Sequence, residues 1–396
     1  MADLLWPGDE RAGDLFADAA YLAAMVAVEE AWLAGLAESG IDTDAVPLAG
    51  LVGLGDLDAL AVGAEAGGNP VIGLVDLLRS RSGSDWVHRG LTSQDVVDTA
   101  LVLCLRDVVA VVRASLRAQA ETLAGLAAEH RSAPMAGRTL TQYAVPMTFG
   151  LKAATWLNGV AAAAERLDRC PPLPAQLGGA AGTLAAPTLL AGGPEQALAL
   201  VESVARRLRL AAVPPWHTER SVLTEYADAL VACSDAWGHL AADVALLSRP
   251  EIGEVREGSG GGSSTMPGKA NPVLSILVRR HALAAPGLVA TLHVAAGAYV
   301  DERPDGAWHA EWDTLRTLAR RTVVAGSETS DLLAGLVVDV DRMAARAAEP
   351  ALDGERRSMA RLAGLDESAG APYLGATDHL IDAAIARAKT VWKDLP

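Results

Sequence analysis

The stretch that decides the fold is residues 92–130, which read TSQDVVDTALVLCLRDVVAVVRASLRAQAETLAGLAAEH. It opens with Thr92-Ser-Gln-Asp95, which has the form of a capping box with Thr92 as the N-cap and so marks a helix start. The segment 100–105, ALVLCL, is apolar on every face of a helix, so partners must surround it. A helix from Thr92 to about His130 would be roughly 55 Å long. The stretch therefore predicts one very long, largely buried helix.

Five further stretches predict long, Ala-rich helices separated by short glycine or proline breaks: 18–39, 146–167, 222–247, 273–299 and 308–336. No alternating strand pattern competes with them, and the proline- and glycine-rich segment 170–194 is typical of loop and turn. We therefore predict an all-α fold, an elongated long-helix bundle with smaller helical domains at its ends. The expected domains are an N-terminal helical domain 1–91, a central bundle 92–341 and a shortened C-terminal helical domain 342–396.

Composition and charge exclude several classes of protein. The chain has 396 residues and a net charge of −16, which argues against nucleic acid or anionic membrane as the main partner. Hydrophobic residues make up 51% but aromatics only 4%, which suits closely packed helices with some burial between subunits. The uncharged run 281–300 has the length of a membrane span, but it contains two histidines and a proline. We expect that run to be a helix buried in a bundle, and we expect no membrane partner.

Cysteine usage and the first residues indicate the compartment. Cys104, Cys170 and Cys233 are odd in number and far apart, so they predict neither a disulfide framework nor a thiolate metal site. The residues after Met1 lack a basic region followed by an apolar run, so we expect no secretory signal. These features favour a cytoplasmic location.

The richest chemistry lies in residues 258–272, GSGGGSSTMPGKANP. A flexible linker would explain the glycines and serines, but not the ordered residues that follow them. Glycines allow a loop to close over a ligand, Lys269 offers a positive charge, and Asn271 offers amide donors near a helix start. We interpret the stretch as an active-site loop.

This loop resembles the signature loop of the fumarase/aspartase superfamily, in the residues 262–272, GSSTMPGKANP. Residues 86–95, WVHRGLTSQD, are similar to the first signature region of that superfamily, and 137–146, GRTLTQYAVP, to the second. The resemblance covers about residues 10–340. It implies the long-helix fold already predicted from the helix pattern.

Within that superfamily the chain is most similar to the 3-carboxy-cis,cis-muconate cycloisomerase branch. The similar segments are 176–183, QLGGAAGT, 216–220, WHTER, and 301–312, DERPDGAWHAEW. The lyases usually carry a histidine where this chain has Leu140, and the cycloisomerases lack it too. The chain departs from typical cycloisomerases at two places: the segment between about Arg346 and Tyr373 is shorter, and Gly268 replaces a histidine common in their loops.

The resemblance implies a set of site residues. Ser263 matches the loop serine that acts as base or acid at the carbon next to a carboxylate, and His88 matches a histidine that faces the pocket. The implied substrate-binding residues are Thr92, Ser93, Arg138, Thr139, Gln142, His217, Arg220, Ser264, Lys269, Asn271 and Glu302. Several have plain structural alternatives: Thr92 as an ordinary N-cap, Arg138 in an ion pair, Gln142 as a solvated residue and Glu302 paired with Arg303 or Lys269.

The implied function is the lactonisation of 3-carboxy-cis,cis-muconate in protocatechuate breakdown. The charge to be stabilised is a dianion-like pair of oxygens, which calls for hydroxyl, amide and cationic donors, so we expect no cofactor and no metal. Two alternatives stay open: a lyase of the same superfamily that releases fumarate from a substituted succinate, and a catalytically silent structural homologue. The resemblance further implies a homotetramer whose active sites are shared between subunits and take a small polycarboxylate.

Overall fold

The computed structural model describes residues 3–41, 45–258, 261–262, 265–266, 268–366, 373–393 and 395. The chain forms two compact units. The first comprises Met1–Val111, Cys170–Asp228 and Pro286–Val324, and the second comprises Val112–Arg169, Ala229–Ala285 and Ala325–Pro396. The division into domains 1–91, 92–341 and 342–396 stays a prediction.

Helices dominate the described residues, which are about 65% helical. The thirteen α-helices there are α1 Asp18–Glu38, α2 Leu57–Gly67, α3 Val71–Ser82, α4 Ser93–Glu129, α5 Phe149–Arg169, α6 Ala185–Ala191, α7 Pro194–Arg207, α8 Ser221–Leu247, α9 Val273–Gly297, α10 Gly306–Ala334, α11 Val340–Ala347, α12 Gly354–Ala363 and α13 Thr377–Val391. The all-α prediction is confirmed.

The predicted long helices match α1, α4, α5, α8, α9 and α10 to within three residues at each end. The 37-residue helix α4 begins at Ser93, directly after the predicted N-cap, and ends one residue before His130. At the end of α1, Gly40 has a φ of 78°, a left-handed conformation that glycine adopts without strain. The sequence signals at Thr92 and Gly40 therefore predict the start of α4 and the end of α1 correctly.

Two local predictions were wrong. Residues 146–148 are not helical, because β1 Pro134–Thr139 and β2 Gln142–Thr148 form an antiparallel hairpin that precedes α5. Its two-residue turn holds Leu140 and Thr141 at φ 48° and 72°, as a type I′ turn requires. The segment 170–194 is not all loop, since it contains the short helix α6. A second short sheet pairs β3 Val255–Arg256 with β4 Val337–Val338.

In the first unit, helix α1 packs closely against α7. A side chain added at Gly35 would approach methyl groups of Leu200 and Val204 to 2.8 and 2.7 Å, so only glycine permits this contact. Trp32 and Leu36 of α1 are almost fully buried. This packing fixes the helix that carries part of the candidate site.

In the second unit, helix α13 packs on α5 and is tied down by ion pairs. Arg387 of α13 pairs with Glu165 of α5 at 2.8 Å, and Arg131 pairs with Asp378 and Asp382 at 3.3 and 2.5 Å. The described residues after 342 include the end of α11 and the helices α12 and α13.

Three helices are long and apolar enough to cross a membrane by length and composition alone: α1, α8 and α9. Buried residues make up 56% of the most apolar window of α1 and 50% of that of α8, but only 28% of that of α9. The exposed side chains of α9 include Ile276, Leu283 and Val294. Within the described residues, helix α9 therefore leaves several large apolar side chains exposed.

Candidate active site

His88 lies in a tight turn in the first unit. Its φ of 66° is left-handed, which is uncommon for a residue other than glycine. The ring nitrogen Nδ1 lies 2.6 Å from Oε1 of Glu29 on helix α1. The neighbouring carbonyl of Arg89 accepts a 2.7 Å hydrogen bond from the indole of Trp32, also on α1. Helix α1 thus sets the position of this turn.

Thr92 and Ser93 form the start of helix α4. The Thr92 N–H donates to Oδ2 of Asp95 at 2.9 Å, which is the backbone half of the predicted capping box. The Thr92 hydroxyl accepts a hydrogen bond from Arg303. Ser93 is the first residue of the helix and is half-buried. Thr92 therefore has the N-cap position, and its role toward a substrate stays a prediction.

Asp95 gathers several donors although it is fully buried. Its Oδ1 accepts from the Gly178 N–H at 2.8 Å and from the Gln176 amide at 3.1 Å, and its Oδ2 accepts from the Gly179 N–H at 2.9 Å. Charged acceptors form the stronger class of protein hydrogen bonds. Asp95 therefore joins the start of α4 to the glycine-rich segment 176–182.

His217 is buried beside this carboxylate. Its Nε2 lies 3.3 Å from Oδ1 of Asp95 and 3.1 Å from the side-chain nitrogen of Gln176. The Gln176 amide is oriented by its oxygen, which accepts the Trp216 N–H at 2.6 Å, so its NH₂ group must face Asp95 and His217. Nε2 of His217 therefore faces both an amide donor and a carboxylate acceptor, so its role depends on the tautomer of the ring.

Arg220 is enclosed in the same unit with no exposed side-chain surface. Its guanidinium pairs with Asp98 at 2.6 Å and with Glu311 at 2.6 Å. The rings of Trp216 and Tyr299 lie 4.7 and 5.2 Å from its central carbon. Its donors are used within the chain, so this geometry favours a structural role, and the predicted contact with substrate stays a prediction.

Burial shapes the titration of this cluster. Burial opposes the charge on Arg220, but the attraction and hydrogen bonds of Asp98 and Glu311 outweigh it and raise its pKa. Burial also raises the pKa of Glu311 above its ordinary value of 4.5, and Arg220 offsets this only in part. Two carboxylates share one guanidinium, and the negative charge of Asp98 adds to the rise in the pKa of Glu311.

Glu302 lies at the surface of the first unit, in the segment that precedes α10. Its neighbour Asp301 has a left-handed φ of 53°. The expected alternative partner Arg303 donates instead to the Thr92 hydroxyl. The role of Glu302 stays a prediction.

Arg138, Thr139 and Gln142 belong to the hairpin of the second unit. Arg138 makes a bidentate pair with the buried Glu254 at 2.7 and 3.0 Å, which is the structural alternative expected from the sequence. The hydrogen bonds to the Glu254 carboxylate raise the pKa of Arg138. Thr139 and Gln142 face each other across the turn and are exposed. Their predicted contact with substrate is not tested by this geometry.

The signature loop is described only in part, and Ser263 and Ser264 lie outside the described residues. Gly261 and Asn271 exchange two backbone hydrogen bonds of 2.9 and 2.8 Å, which bring the loop's ends together. Lys269 is exposed, and the Asn271 amide reaches the Gly262 carbonyl at 3.4 Å.

Glu257 caps the helix that follows this loop. Its carboxylate accepts from the Leu274 and Ser275 N–H groups at 3.1 and 2.8 Å, and from the Ser275 hydroxyl at 2.7 Å. A carboxylate at a helix start satisfies free N–H groups and complements the helix dipole. Within the described residues, no group of three or more His, Cys, Asp or Glu side chains is placed to hold a metal ion.

Sequence reasoning missed the residues that support the site. They are Glu29, Asp98, Gln176, Glu257 and Glu311, and all of them are buried. A charged residue on the apolar face of a helix was the available signal: Glu29 lies among the buried Val28, Trp32 and Leu33. Such a residue needs a partner, and the sequence spacing does not show which residue that partner is.

Comparisons with known proteins agree with this architecture. A family model described as Lyase matches residues 61–287. The nitrosuccinate lyase of Streptomyces davaonensis is 43% identical over 345 residues, which cover 83% of this chain and 73% of that protein. The 3-carboxy-cis,cis-muconate cycloisomerase of Pseudomonas aeruginosa is 43% identical over 297 residues, covering 72% of this chain and 63% of that protein, which is less than two thirds.

Solved structures show the same fold. The 3-carboxy-cis,cis-muconate lactonizing enzyme from Pseudomonas putida superposes with a TM-score of 0.80 at 29% identity, covering 96% of this chain and 97% of that one. The predicted resemblance is thus confirmed over most of the chain. By its matched family model, its relatives and its fold, the chain belongs to the lyase family of the fumarase/aspartase superfamily and is an enzyme of that superfamily.

Proposed function

We propose that the protein is a 3-carboxy-cis,cis-muconate cycloisomerase that works without a cofactor. The observation that carries the proposal is Leu140, which stands where the superfamily's lyases usually have a histidine. Leu140 is 96% exposed at the hairpin tip and has no group that can transfer a proton. The similarity to the cycloisomerase of Pseudomonas aeruginosa and to the lactonizing enzyme of Pseudomonas putida supports the same assignment.

The proposed reaction is an intramolecular addition. A substrate carboxylate oxygen forms a C–O bond to one alkene carbon, the π bond is lost, and the neighbouring carbon takes up one proton. No group leaves and no electron is exchanged with a partner. The negative charge that develops on the second carboxylate needs hydrogen-bond donors and cations. We assign these roles to Lys269, Asn271 and the start of α4, and proton transfer to Ser263 and His88.

The second candidate is elimination from a substituted succinate. It is favoured by the 43% identity to the Streptomyces davaonensis nitrosuccinate lyase. That alignment covers more of this chain and more of the relative than the alignment with the Pseudomonas aeruginosa cycloisomerase does. Elimination of nitrite from nitrosuccinate would leave fumarate. It is the reverse type of step at the same kind of carbon, so the same donors would serve.

We further propose a homotetramer whose active sites are shared between subunits, and a cytoplasmic location. The apolar surface of α9 supports association, because a helix that exposes Leu283 and Val294 gains stability when a partner covers it. The odd number and wide spacing of Cys104, Cys170 and Cys233 support a reducing compartment.

The assignment is tested by offering purified protein both substrates under the same conditions. We expect kcat/KM for 3-carboxy-cis,cis-muconate to exceed that for nitrosuccinate by about a hundredfold or more, a selectivity of about 2.7 kcal/mol. A reversed ratio would establish the elimination instead. Turnover of neither substrate by a correctly assembled protein would contradict both assignments.

The proton-transfer role of Ser263 is tested in the same assay. We expect Ser263→Ala to lower kcat by about a hundredfold or more while the protein keeps its mass in solution. Ser259→Ala, in the same loop, is the matched control and should retain activity. Near-normal turnover by the Ser263 variant would remove that residue from the chemistry.

A further inference from the structure

Glu29 is a fully buried carboxylate on an otherwise apolar helix face. The side chains around it on α1, Val28, Trp32 and Leu33, are at most 1% exposed. Removing a charged group from water costs several kcal/mol unless a partner compensates it. A buried carboxylate at this position therefore needs a specific partner.

That partner is His88. Oε1 of Glu29 lies 2.6 Å from Nδ1 of the imidazole, and within the described residues the second carboxylate oxygen is buried without a hydrogen-bond partner. The His88 side chain keeps 18% of its surface exposed, whereas Glu29 has none. The carboxylate is therefore directed at one nitrogen of a ring that remains open on another side.

The turn that carries His88 is held from several directions. Arg79 donates to the Val87 carbonyl at 3.2 and 2.9 Å, and Trp32 donates to the Arg89 carbonyl. His88 itself occupies a left-handed backbone conformation, which costs about 1–3 kcal/mol for a non-glycine residue and persists only when the surroundings enforce it. Backbone and ring are thus both fixed before any ligand binds.

We propose that Glu29 is the positioning residue for His88. The carboxylate holds the proton of the ring on Nδ1 and leaves Nε2 as the nitrogen that meets the substrate. A carboxylate that orients a histidine in this way sets both its tautomer and its direction. In a chain with Leu140 in place of the lyases' histidine, the His88–Glu29 pair joins a histidine of the first signature region to a buried carboxylate of α1. The inference rests on the proposed function, which places His88 at the substrate.

Glu29→Met tests the proposal, because methionine fills a similar volume on an apolar face and cannot accept the hydrogen bond. We expect the variant to be at least as stable as the parent, with kcat reduced by about tenfold or more and KM within about twofold. Glu29→Gln keeps an acceptor oxygen and should recover part of the loss. Glu38→Met, at an exposed glutamate of the same helix, is the matched control and should leave kcat unchanged.

Nitrogen NMR of the histidine rings supplies a readout that needs no substrate. In the parent protein we expect the His88 signals, assigned with His88→Asn, to show a protonated Nδ1 and an unprotonated Nε2 when the ring is neutral. Glu29→Met should shift them toward the opposite tautomer. Unchanged His88 signals or unchanged kcat in Glu29→Met would overturn the proposal.

The two arms separate this inference from the proposed function. If the enzyme converts nitrosuccinate instead of the muconate, the kinetic arm runs with nitrosuccinate and the expectation for Glu29 is the same. If neither substrate is converted, the NMR arm alone decides whether Glu29 orients the ring. If Glu29→Met does not fold, the kinetic and NMR measurements are made on Glu29→Gln instead.

Discussion

At the scale of single residues, the cluster of Asp98, Arg220 and Glu311 places three charged groups in the buried part of the first unit. Arg220 compensates one carboxylate. Burial raises the pKa of Glu311, and the negative charge of Asp98 raises it further. The folded chain thus binds the Glu311 proton more tightly than the unfolded chain does. The stabilisation that this proton gives is complete below pH 4.5, the ordinary value, and is lost as pH rises through the raised folded-state pKa.

Glu311→Gln should remove this component of the pH dependence. The unfolding free energy of the parent, relative to the variant, should fall as pH rises from 4.5, by at most about 1.4 kcal/mol for each pH unit, until the folded-state pKa is passed. Urea unfolding at a series of pH values measures it. Glu202→Gln, at an exposed position on α7, should show no such trend, and a difference that is flat or opposite in sign for Glu311→Gln would contradict the account.

The sequence alone could supply candidates for this cluster but not their pairing. Arg220 was chosen from a segment similar to the superfamily, yet its partners are 122 and 91 residues away in the chain. No helical periodicity encodes such contacts, because they depend on how separate helices pack. Glu29 was missed for the same reason, since 59 residues separate it from His88.

At the scale of elements, the start of α4 depends on Asp95. It accepts hydrogen bonds from the helix's own first turn and from the segment 176–179, so one carboxylate fixes two elements. Asp95→Asn should lower the unfolding free energy by about 3 kcal/mol, because an amide presents a donor where the backbone N–H groups need an acceptor.

Thermal or urea unfolding measures this effect. Asp107→Asn, at an exposed position of the same helix, is the matched control and should change stability by less than about 0.5 kcal/mol. If the two variants were equally stable, Asp95 would not hold the start of α4.

Elements were predictable where local signals were strong. The capping box at Thr92 and Gly40 after α1 gave helix ends within a residue of those observed. The hairpin was missed because its turn, Leu140-Thr141, lacks the Asn-Gly type of sequence that usually marks such a connection. Strand pairing also depends on a register between two segments, and neither strand alternates clearly between apolar and polar residues.

At the scale of the whole molecule, the exposed apolar side chains of α9 point to a covered surface in the assembled protein. Burying a leucine contributes about 1.5–3 kcal/mol, so several such side chains can support association. We expect sedimentation to give four times the mass of one chain. Leu283→Glu should lower that mass, while Leu362→Glu, at an equally exposed leucine of α12, should not. A monomeric parent protein would contradict the proposed tetramer.

Composition argues against some classes of partner but does not identify the substrate. A net charge of −16 excludes a polyanionic macromolecule more readily than a small polyanion, which needs only a local group of donors. The superfamily could be identified from three short regions, but closely related members differ in substrate. The exact substrate depends on side chains in the site, several of which the sequence could name but not place.

The most direct test of the central claim is the product formed from 3-carboxy-cis,cis-muconate in D₂O, read by proton NMR. The account predicts a γ-lactone that carries one deuterium on the carbon next to the carboxylate that received the negative charge, and no fumarate. Unchanged muconate, under conditions in which the same protein converts nitrosuccinate to fumarate and nitrite, would contradict it.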